Sequence, residues 1–146
     1  MSRGYAAIGL LAPKTEPNVG GVLRASMCYG VSLVAIAGQR YKRQSTDTLK
    51  ASRHIPIIHV ADLKDAVPFD CVPVAVELLP TGTPLPAYKH PERAFYVFGP
   101  EDGTLGKTTL SWCRDLIYIP ISFSMNLAAC VNVVLYDRLA KASLIQ

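Results

Sequence analysis

IPISFSMNLAACVNVVLYDRLAK, residues 119–141, combines a polar opening with an almost wholly apolar continuation. From residue 127 to 135 the chain is apolar on nearly every side, with Asn132 as the only polar interruption. A helix that is apolar all round has to be covered all round. The residues before it include Ser122, Ser124 and Asn126. The stretch therefore predicts a helix that is enclosed along its length and begins at a polar site.

Upstream of this helix, short apolar runs alternate with helical patterns. The runs predict strands at 5–12, 32–38, 55–60, 71–78, 94–99 and 115–121. The helical patterns fall at 17–30, at 45–53 with Ser45 or Thr46 as N-cap, from residue 62, and at 106–113. Residues 81–93 are expected to be loop, and Pro73 indicates that the fourth strand lies near an edge. This alternation predicts an α/β fold, a mostly parallel six-stranded sheet with helices on both faces.

Composition places the chain among single folded domains, here residues 1–146. Half of the 146 residues are apolar and 18% are charged, which argues against global disorder. No apolar run reaches the ~18 residues that a membrane span needs, and the N-terminus lacks a signal-peptide pattern, so we expect a soluble cytoplasmic protein. The cysteines form no C-x-x-C pair, so we expect buried free thiols and no metal site. They are Cys28, Cys71, Cys113 and Cys130.

Basic residues are concentrated in one window, residues 39–54, although the net charge is only +4. The window contains Arg40, Lys42, Arg43, Lys50 and Arg53 against the single acid Asp47. Such a window is either a solvated face or a phosphate-binding surface, and charge alone leaves the two interpretations open.

Parallel sheets bind ligands at the carboxyl ends of their strands, and three unusual segments follow predicted strands. EPNVGGVLRAS, residues 16–26, begins a helix with two glycines and places Arg24 one turn later. VFGPEDGTLG, residues 97–106, breaks a strand at Gly99 and continues with two acids. The third segment is the polar opening at 119–126. Each alone is a weak signal, since a surface arginine or an ordinary turn would account for the first two.

Together the three segments carry motifs in a specific order. They are N-x-G-x-x-x-R (Asn18, Gly20, Arg24), F-G-P-E-x-G-x-L (98–105), and I-P-I followed by S-M-N-L-A (119–121 and 124–128). This set resembles the SpoU/TrmH family of SPOUT-class, S-adenosylmethionine-dependent RNA methyltransferases. The likeness covers nearly the whole chain, which is similar to a minimal catalytic domain of the TrmL-like tRNA branch.

The resemblance implies a fold, a cofactor and a partner. The fold would contain a C-terminal deep trefoil knot, the α/β knot of these enzymes. S-adenosyl-L-methionine would be held by residues in the loops after three strands. The family works as a homodimer through the last helix, which would provide the cover that the apolar helix needs. The implied cofactor contacts are Leu78, Leu79, Gly99, Glu101, Ile119, Ile121, Met125 and Leu127.

The resemblance also implies a reaction, methyl transfer to a ribose 2′-hydroxyl of RNA, with tRNA favoured over rRNA. Arg24 matches the catalytic arginine, and because arginine stays protonated we expect it to position the hydroxyl and stabilise charge. Asn18, Glu101, Ser124 and Asn126 match the supporting site residues. The basic window then becomes an RNA-binding surface together with Arg24.

One departure from the family pattern keeps alternatives open. Only Ser122 and Phe123 separate I-P-I from S-M-N, which shortens the loop and shifts Ser124. A family member that binds RNA and cofactor with little methyl transfer is therefore one alternative. Another is a flavodoxin-like or Rossmann-like nucleotide-binding domain, disfavoured because neither G-x-G-x-x-G nor G-x-x-x-x-G-K-[ST] follows a strand.

Overall fold

A parallel β-sheet organises the protein. The computed structural model describes residues 4–42 and 51–144. Within these ranges seven strands form one sheet in the order β3-β2-β1-β6-β4-β7-β5, and every neighbouring pair is parallel. The strands are β1 (Tyr5–Leu11), β2 (Leu33–Ala37), β3 (Ile57–His59), β4 (Val72–Val76), β5 (Thr83–Pro84), β6 (Arg93–Phe98) and β7 (Asp115–Tyr118). The α-helices are α1 (Glu16–Cys28), α2 (Gly106–Trp112) and α3 (Leu127–Leu144), and short 3₁₀ turns cover Ala51–Arg53, Leu63–Ala66 and Leu85–Ala87.

The predicted α/β class is confirmed, but the predicted count of six strands is wrong. The extra strand, β5, lies in the segment expected to be loop and pairs with β7 through Thr83↔Ile117 and Pro84↔Tyr118. A strand of two residues has no alternation that a sequence pattern could reveal.

Pro73 lies in the interior of the sheet, because β4 pairs with β6 on one side and β7 on the other. The carbonyl of Pro73 accepts from the backbone N of Arg114 at 3.0 Å. The amide and carbonyl of one strand residue point to the same side, so the missing N–H faces β7. The β7 pairing begins only one residue later, at Val74↔Asp115. The expected edge position is therefore wrong, because proline at the start of the ladder removes no bond.

Helices cover both faces of the sheet. On one face α1 and α3 pack over a core that includes Ile8, Leu10 and Val131. On the other face α2 and the 3₁₀ turn at Leu63–Ala66 cover a second core around Phe95 and Val97. Residues adjacent along a strand belong to opposite cores because side chains alternate across a sheet. No described helix is long and apolar enough to cross a membrane.

The thiols are less uniformly buried than the sequence predicted. Cys71 is buried and Cys113 and Cys130 are half-buried, but Cys28 is exposed, and all four are free. Cys28 belongs to the last turn of α1 and points away from the buried face that carries Ala25 and Ser26. Burial raises the pKa of Cys113 and of Cys130 to about 11, so both thiols stay protonated at neutral pH.

The predicted helix at 45–53 is seen only in part. Residues 51–53 form a 3₁₀ turn, whereas the two proposed N-cap residues, Ser45 and Thr46, lie outside the described residues. The predicted turn from residue 62 is present, because Asp62 caps it by accepting from the backbone N of Lys64 at 3.1 Å.

A half-buried network fastens the second half of α3 to the sheet. His90 lies between Tyr96 and Asp137, with Nδ1 2.7 Å from the Tyr96 hydroxyl and Nε2 2.7 Å from Oδ2 of Asp137. Arg138 donates to the same hydroxyl at 3.0 Å. A neutral imidazole satisfies this arrangement, since its Nε2–H donates to the carboxylate and its Nδ1 accepts from the hydroxyl. Burial lowers the pKa of His90, and this effect exceeds the opposing hydrogen bond to Asp137.

This histidine makes stability depend on pH in a predictable direction. The unfolded chain protonates His90 near pH 6.5, whereas the folded chain resists protonation, so the free energy of unfolding falls as the pH drops below about 6.5. The loss is at most ~1.4 kcal/mol per pH unit and stops below the folded pKa. Urea unfolding at pH 7.5 and 5.5 measures it. A His90→Gln variant should lose this slope, and an unchanged slope would contradict the assignment.

Candidate functional site

The site lies at the carboxyl ends of the strands, where three loops meet. Residues 12–15 connect β1 to α1, residues 99–105 connect β6 to α2, and residues 119–126 connect β7 to α3. β1 and β6 are neighbours in the sheet, and α1 packs against α3 on one face. The topology therefore brings the starts of α1 and α3 to the same edge as the loop after β6.

A chain of side-chain hydrogen bonds joins the three sequence motifs. Asn18 donates from Nδ2 to Oε2 of Glu101 at 2.9 Å. Asn126 donates from Nδ2 to Oδ1 of Asn18 at 3.0 Å. Asn18 thus contacts one residue that lies 83 positions away in sequence and another that lies 108 positions away. Of the predicted site residues, the structure brings these three together.

Glu101 also supports the backbone of the loop after β1. Its two carboxylate oxygens lie 3.3 and 3.2 Å from the backbone N of Lys14, which donates to them. One exposed carboxylate therefore holds both the entry to α1 and a side chain in the first turn of α1. The placement is favourable because carboxylates bind well near helix N-termini.

The loop after β6 is closed by a residue that the sequence analysis missed. Glu77, directly after β4, accepts from the backbone N of Leu105 at 2.7 Å. A Cβ at Gly99 would lie 3.2 Å from that same nitrogen, so the loop folds back tightly on its first residue. The signal available in the sequence was a single acid ending the apolar run VPVAV.

Asn126 explains why the apolar helix begins on an amide. Its Oδ1 accepts from the backbone N of Ala129 at 3.0 Å, which is an N-cap of α3, while its Nδ2 reaches Asn18. Both ends of the amide are thereby used. Ser124 is exposed and forms no hydrogen bond with another described residue. The short loop thus places Asn126, and not Ser124, in the network.

The two roles of Asn126 can be separated by substitution. Asn126→Ala removes both the cap and the bond to Asn18, and we expect it to cost about 1 kcal/mol of unfolding free energy. Asn126→Asp keeps an oxygen for Ala129 but cannot donate to Asn18, so we expect it to retain most of the stability. Urea unfolding compares the two variants. Equal losses in both would show that the cap is not what stabilises α3.

Arg24 is exposed on α1, one turn after Gly21, at the crossing of α1 and α3. A Cβ at Gly21 would lie 2.6 Å from Cβ of Ala128, so only glycine allows this close approach. A Cβ at Gly20 would have nothing within 4 Å. The Arg24 side chain forms no hydrogen bond or ion pair with any other residue in the described part of the chain. Its guanidinium is therefore free to contact a ligand, and it lies six residues after Asn18 along α1.

The predicted RNA-binding residues differ in their contacts and in their exposure. Arg40 is tied to Asp102 by two hydrogen bonds, whereas Lys42 and Arg53 are exposed. Arg43 and Lys50 lie outside the described residues. Among the described basic residues of this window, Lys42 and Arg53 therefore have exposed side chains, whereas the side chain of Arg40 is held by an acid. RNA binding by these residues stays a prediction.

The predicted cofactor residues gather at the ends of three adjacent strands, β6, β4 and β7. Leu78 is 62% exposed and Leu127 is buried. The peptide groups of residues 120–125 form no hydrogen bond with other described residues. The half-buried residues are Leu79, Gly99, Ile119, Ile121 and Met125, whereas Glu101 is exposed. This edge of the sheet therefore offers apolar surface and unpaired backbone groups. The described residues contain no cluster of three or more His, Cys, Asp or Glu that could hold a metal.

Solved structures share this fold at low sequence identity. The SpoU methyltransferase AviRb from Streptomyces viridochromogenes, in complex with the cofactor AdoMet, is 16% identical with a TM-score of 0.83, and the match covers 96% of this chain and 58% of that one. The A. aeolicus TrmH/SpoU tRNA modifying enzyme is 16% identical with a TM-score of 0.84, covering 98% and 78%. A structure described for 2-OH methylation of C/U34 on tRNA is 21% identical with a TM-score of 0.80, covering 98% and 94%.

A sequence-family comparison goes further than these likenesses of fold. A search among curated proteins found no match to the chain. The model of the SpoU rRNA Methylase family matches residues 6–136, which include all three motifs and the residues of the hydrogen-bonded network. The chain therefore belongs to the SpoU rRNA Methylase family.

Proposed function

We propose that the chain is an S-adenosylmethionine-dependent RNA methyltransferase that acts on a ribose 2′-hydroxyl, with tRNA as its substrate. The observation that carries the proposal is the chain of contacts from Glu101 through Asn18 to Asn126, with the exposed Arg24 further along the same helix as Asn18. The network fixes the starts of two helices at the edge where ligands of parallel sheets bind.

Arg24 would act directly on the reacting hydroxyl. A ribose hydroxyl is a weak nucleophile and becomes negative as it loses its proton, which would pass to water. Arg24 stays protonated at neutral pH, so it would orient the oxygen and stabilise the developing charge rather than take the proton. S-adenosylmethionine supplies an electrophilic methyl group when it is bound. Asn18 and Asn126 would hold α1, and with it Arg24, in register with the loop after β7.

The residues at the ends of β4, β6 and β7 fit the cofactor. An adenine ring has apolar faces and a hydrogen-bonding edge. Leu78, Leu79 and Ile119 would pack against the faces, and the unpaired peptide groups of residues 120–125 would bind the edge. Leu127 is buried in the core, so it would contribute through its backbone. AviRb, with the same fold, has been crystallised with AdoMet.

An RNA substrate is supported by charge and by an exposed aromatic ring. Arg24, Lys42 and Arg53 are exposed, and such side chains bind phosphates. Phe123, in the loop that leads to Asn126, is 88% exposed, and exposed aromatic rings stack on unpaired bases. The comparison structures include a tRNA modifying enzyme and a structure described for methylation of tRNA. A tRNA substrate also favours the cytoplasm as the location.

The basic side chains should set the salt dependence of RNA binding. We expect the double variant Lys42→Ala with Arg53→Ala to reduce the slope of log K against log salt by about 1 to 2, since each phosphate contact contributes slightly under 1. Filter binding of unmodified tRNA at several KCl concentrations measures the slope. Lys64→Ala, an exposed lysine on the opposite face of the sheet, is the matched control. A slope equal to that of the wild type would place the RNA elsewhere.

A second copy of the chain is the proposed cover for α3. Val133, Tyr136 and Leu139 are 37%, 59% and 52% exposed, and their spacing places them on one side of the helix. The chain itself covers the opposite side through Val131, Val134 and Leu135. A homodimer through α3 would bury the exposed stripe. Like the homodimer, the deep trefoil knot stays a prediction.

One experiment separates the candidate functions. Calorimetry with S-adenosylmethionine is followed by a methyl-transfer assay on bulk unmodified tRNA, with mass mapping of the 2′-O-methylated nucleotide. Binding and transfer support the proposal. Binding without transfer supports the second candidate, a non-catalytic RNA-binding member, which the short loop and the unbonded Ser124 favour. An absence of cofactor binding at millimolar concentration would overturn both.

A further inference from the structure

Asp102 and Arg40 form a two-pronged ion pair between the loops after β6 and β2. Arg40 donates from Nη2 to Oδ1 of Asp102 at 2.6 Å and from Nη1 to Oδ2 at 3.1 Å. Its Nε donates to the carbonyl of Ala12 at 3.1 Å, and its backbone N donates to the carbonyl of Pro13 at 3.1 Å. All three guanidinium nitrogens are thus used, in the forked geometry that arginine favours with carboxylates.

The loop that accepts hydrogen bonds from Arg40 has an unusual backbone conformation. Ala12 has φ of 49°, the left-handed region that non-glycine residues rarely adopt. Its amide donates to the carbonyl of Ala37 at 2.7 Å, and its own carbonyl is the acceptor for Arg40. Such a conformation persists where its surroundings hold it in place. Arg40 is therefore one of the restraints on the turn that leads into α1.

The ion pair adjoins the motif network directly. Asp102 follows Glu101, whose carboxylate accepts from the backbone N of Lys14 and from Asn18. The Lys14 ammonium lies 3.8 Å from Asp102 as well. The hydrogen bond from Arg40 lowers the pKa of the Asp102 carboxyl, so the pair is charged at neutral pH. Two successive acids thus fix residues 101–102 against residues 12–14.

The side chains of Arg40 and Asp102 are 40% and 43% exposed, so the pair adds little to global stability. Its effect has to be local. We infer that Asp102 and Arg40 are a positioning pair, which holds Glu101 in reach of Asn18 and so aligns Arg24 with the reacting hydroxyl. This inference rests on the proposed function and makes Arg40 a part of the site's frame rather than a phosphate ligand.

The test compares Asp102→Asn, Arg40→Gln and the reversed pair Asp102→Arg with Arg40→Asp. We expect each single variant to lower kcat for tRNA methylation about tenfold, with KM for tRNA and for S-adenosylmethionine changed less than about twofold. The reversed pair should recover part of the lost kcat, because it restores the ion pair but not the hydrogen bond from residue 40 to the carbonyl of Ala12. Asp65→Asn, an exposed acid on the 3₁₀ turn before β4, is the control and should behave as the wild type.

Other outcomes would overturn the inference. They are unchanged kcat in both single variants, a reversed pair no better than either, or a rise in KM for tRNA alone in Arg40→Gln, which would make Arg40 a phosphate ligand. Hydrogen exchange at the Lys14 amide tests the pair without any activity and should speed up at least about fivefold in Asp102→Asn. An inactive wild type with faster Lys14 exchange in the variant would count against the proposed function and not against the pair.

Discussion

Methyl transfer to tRNA is expected to fall at least ~100-fold in an Arg24→Ala variant, because the variant loses the charge that we propose to face the reacting oxygen. Arg24 is exposed and its side chain forms no bond with other described residues, so its removal should leave the fold intact. The proposed cofactor residues lie on other loops, so the Kd for S-adenosylmethionine should change less than about twofold. Single-turnover assays and calorimetry measure the two quantities.

Two further variants show whether charge or geometry matters at this position. Arg24→Lys keeps the charge but loses the planar fork, and we expect an intermediate rate. Arg53→Ala removes another exposed arginine and should leave the rate at saturating tRNA unchanged. A fully active Arg24→Ala enzyme would remove Arg24 from the mechanism and leave the network of Asn18 and Asn126 without its proposed purpose.

The sequence predicts the architecture well where a pattern repeats over several residues. Continuous apolar runs identify β1, β2, β4, β6 and β7, and helical spacing identifies α1 and α3, because burial against two layers requires those periods. The polar residues before α3 also indicated a real feature of the structure, since Asn126 caps the helix. The resemblance assigned Asn18, Glu101 and Asn126 to one site, and in the structure Asn18 is hydrogen-bonded to both of the others. Their roles in the reaction stay a prediction.

What the sequence could not give depends on pairing in space. β5 is too short to show a period, and the place of Pro73 inside the sheet depends on where β7 begins. The pattern of charges left open whether Arg40 binds phosphate, and it could not reveal the ion pair because Asp102 lies 62 residues away in sequence. Glu77 was missed for the same reason, since its partner is a backbone nitrogen of another loop.

The close approach of α1 and α3 at Gly21 predicts a large stability effect of a single methyl group. In Gly21→Ala the new Cβ would lie 2.6 Å from Cβ of Ala128, and neither atom can rotate away. We expect a net loss of ~1 to 2 kcal/mol, because overpacking costs more than the gain in helix propensity. Asn126, two residues before Ala128, should move away from Asn18, so methyl transfer should fall as well. Urea unfolding and the tRNA assay measure both losses.

Gly20→Ala is the matched control, since its new methyl would have nothing within 4 Å. It should be neutral or stabilise α1 by up to ~1 kcal/mol, so the two alanine variants should differ in Tm by at least ~3 °C. The double variant Gly21→Ala with Ala128→Gly adds a methyl group to α1 and removes one from α3, so the two helices again have room to meet. It should regain the contact between Asn18 and Asn126 and most of the methyl transfer, although glycine in α3 costs ~1 kcal/mol. A double variant as inactive as Gly21→Ala would mean that the two helices do not meet at this point, and the alignment of Arg24 would then need another cause.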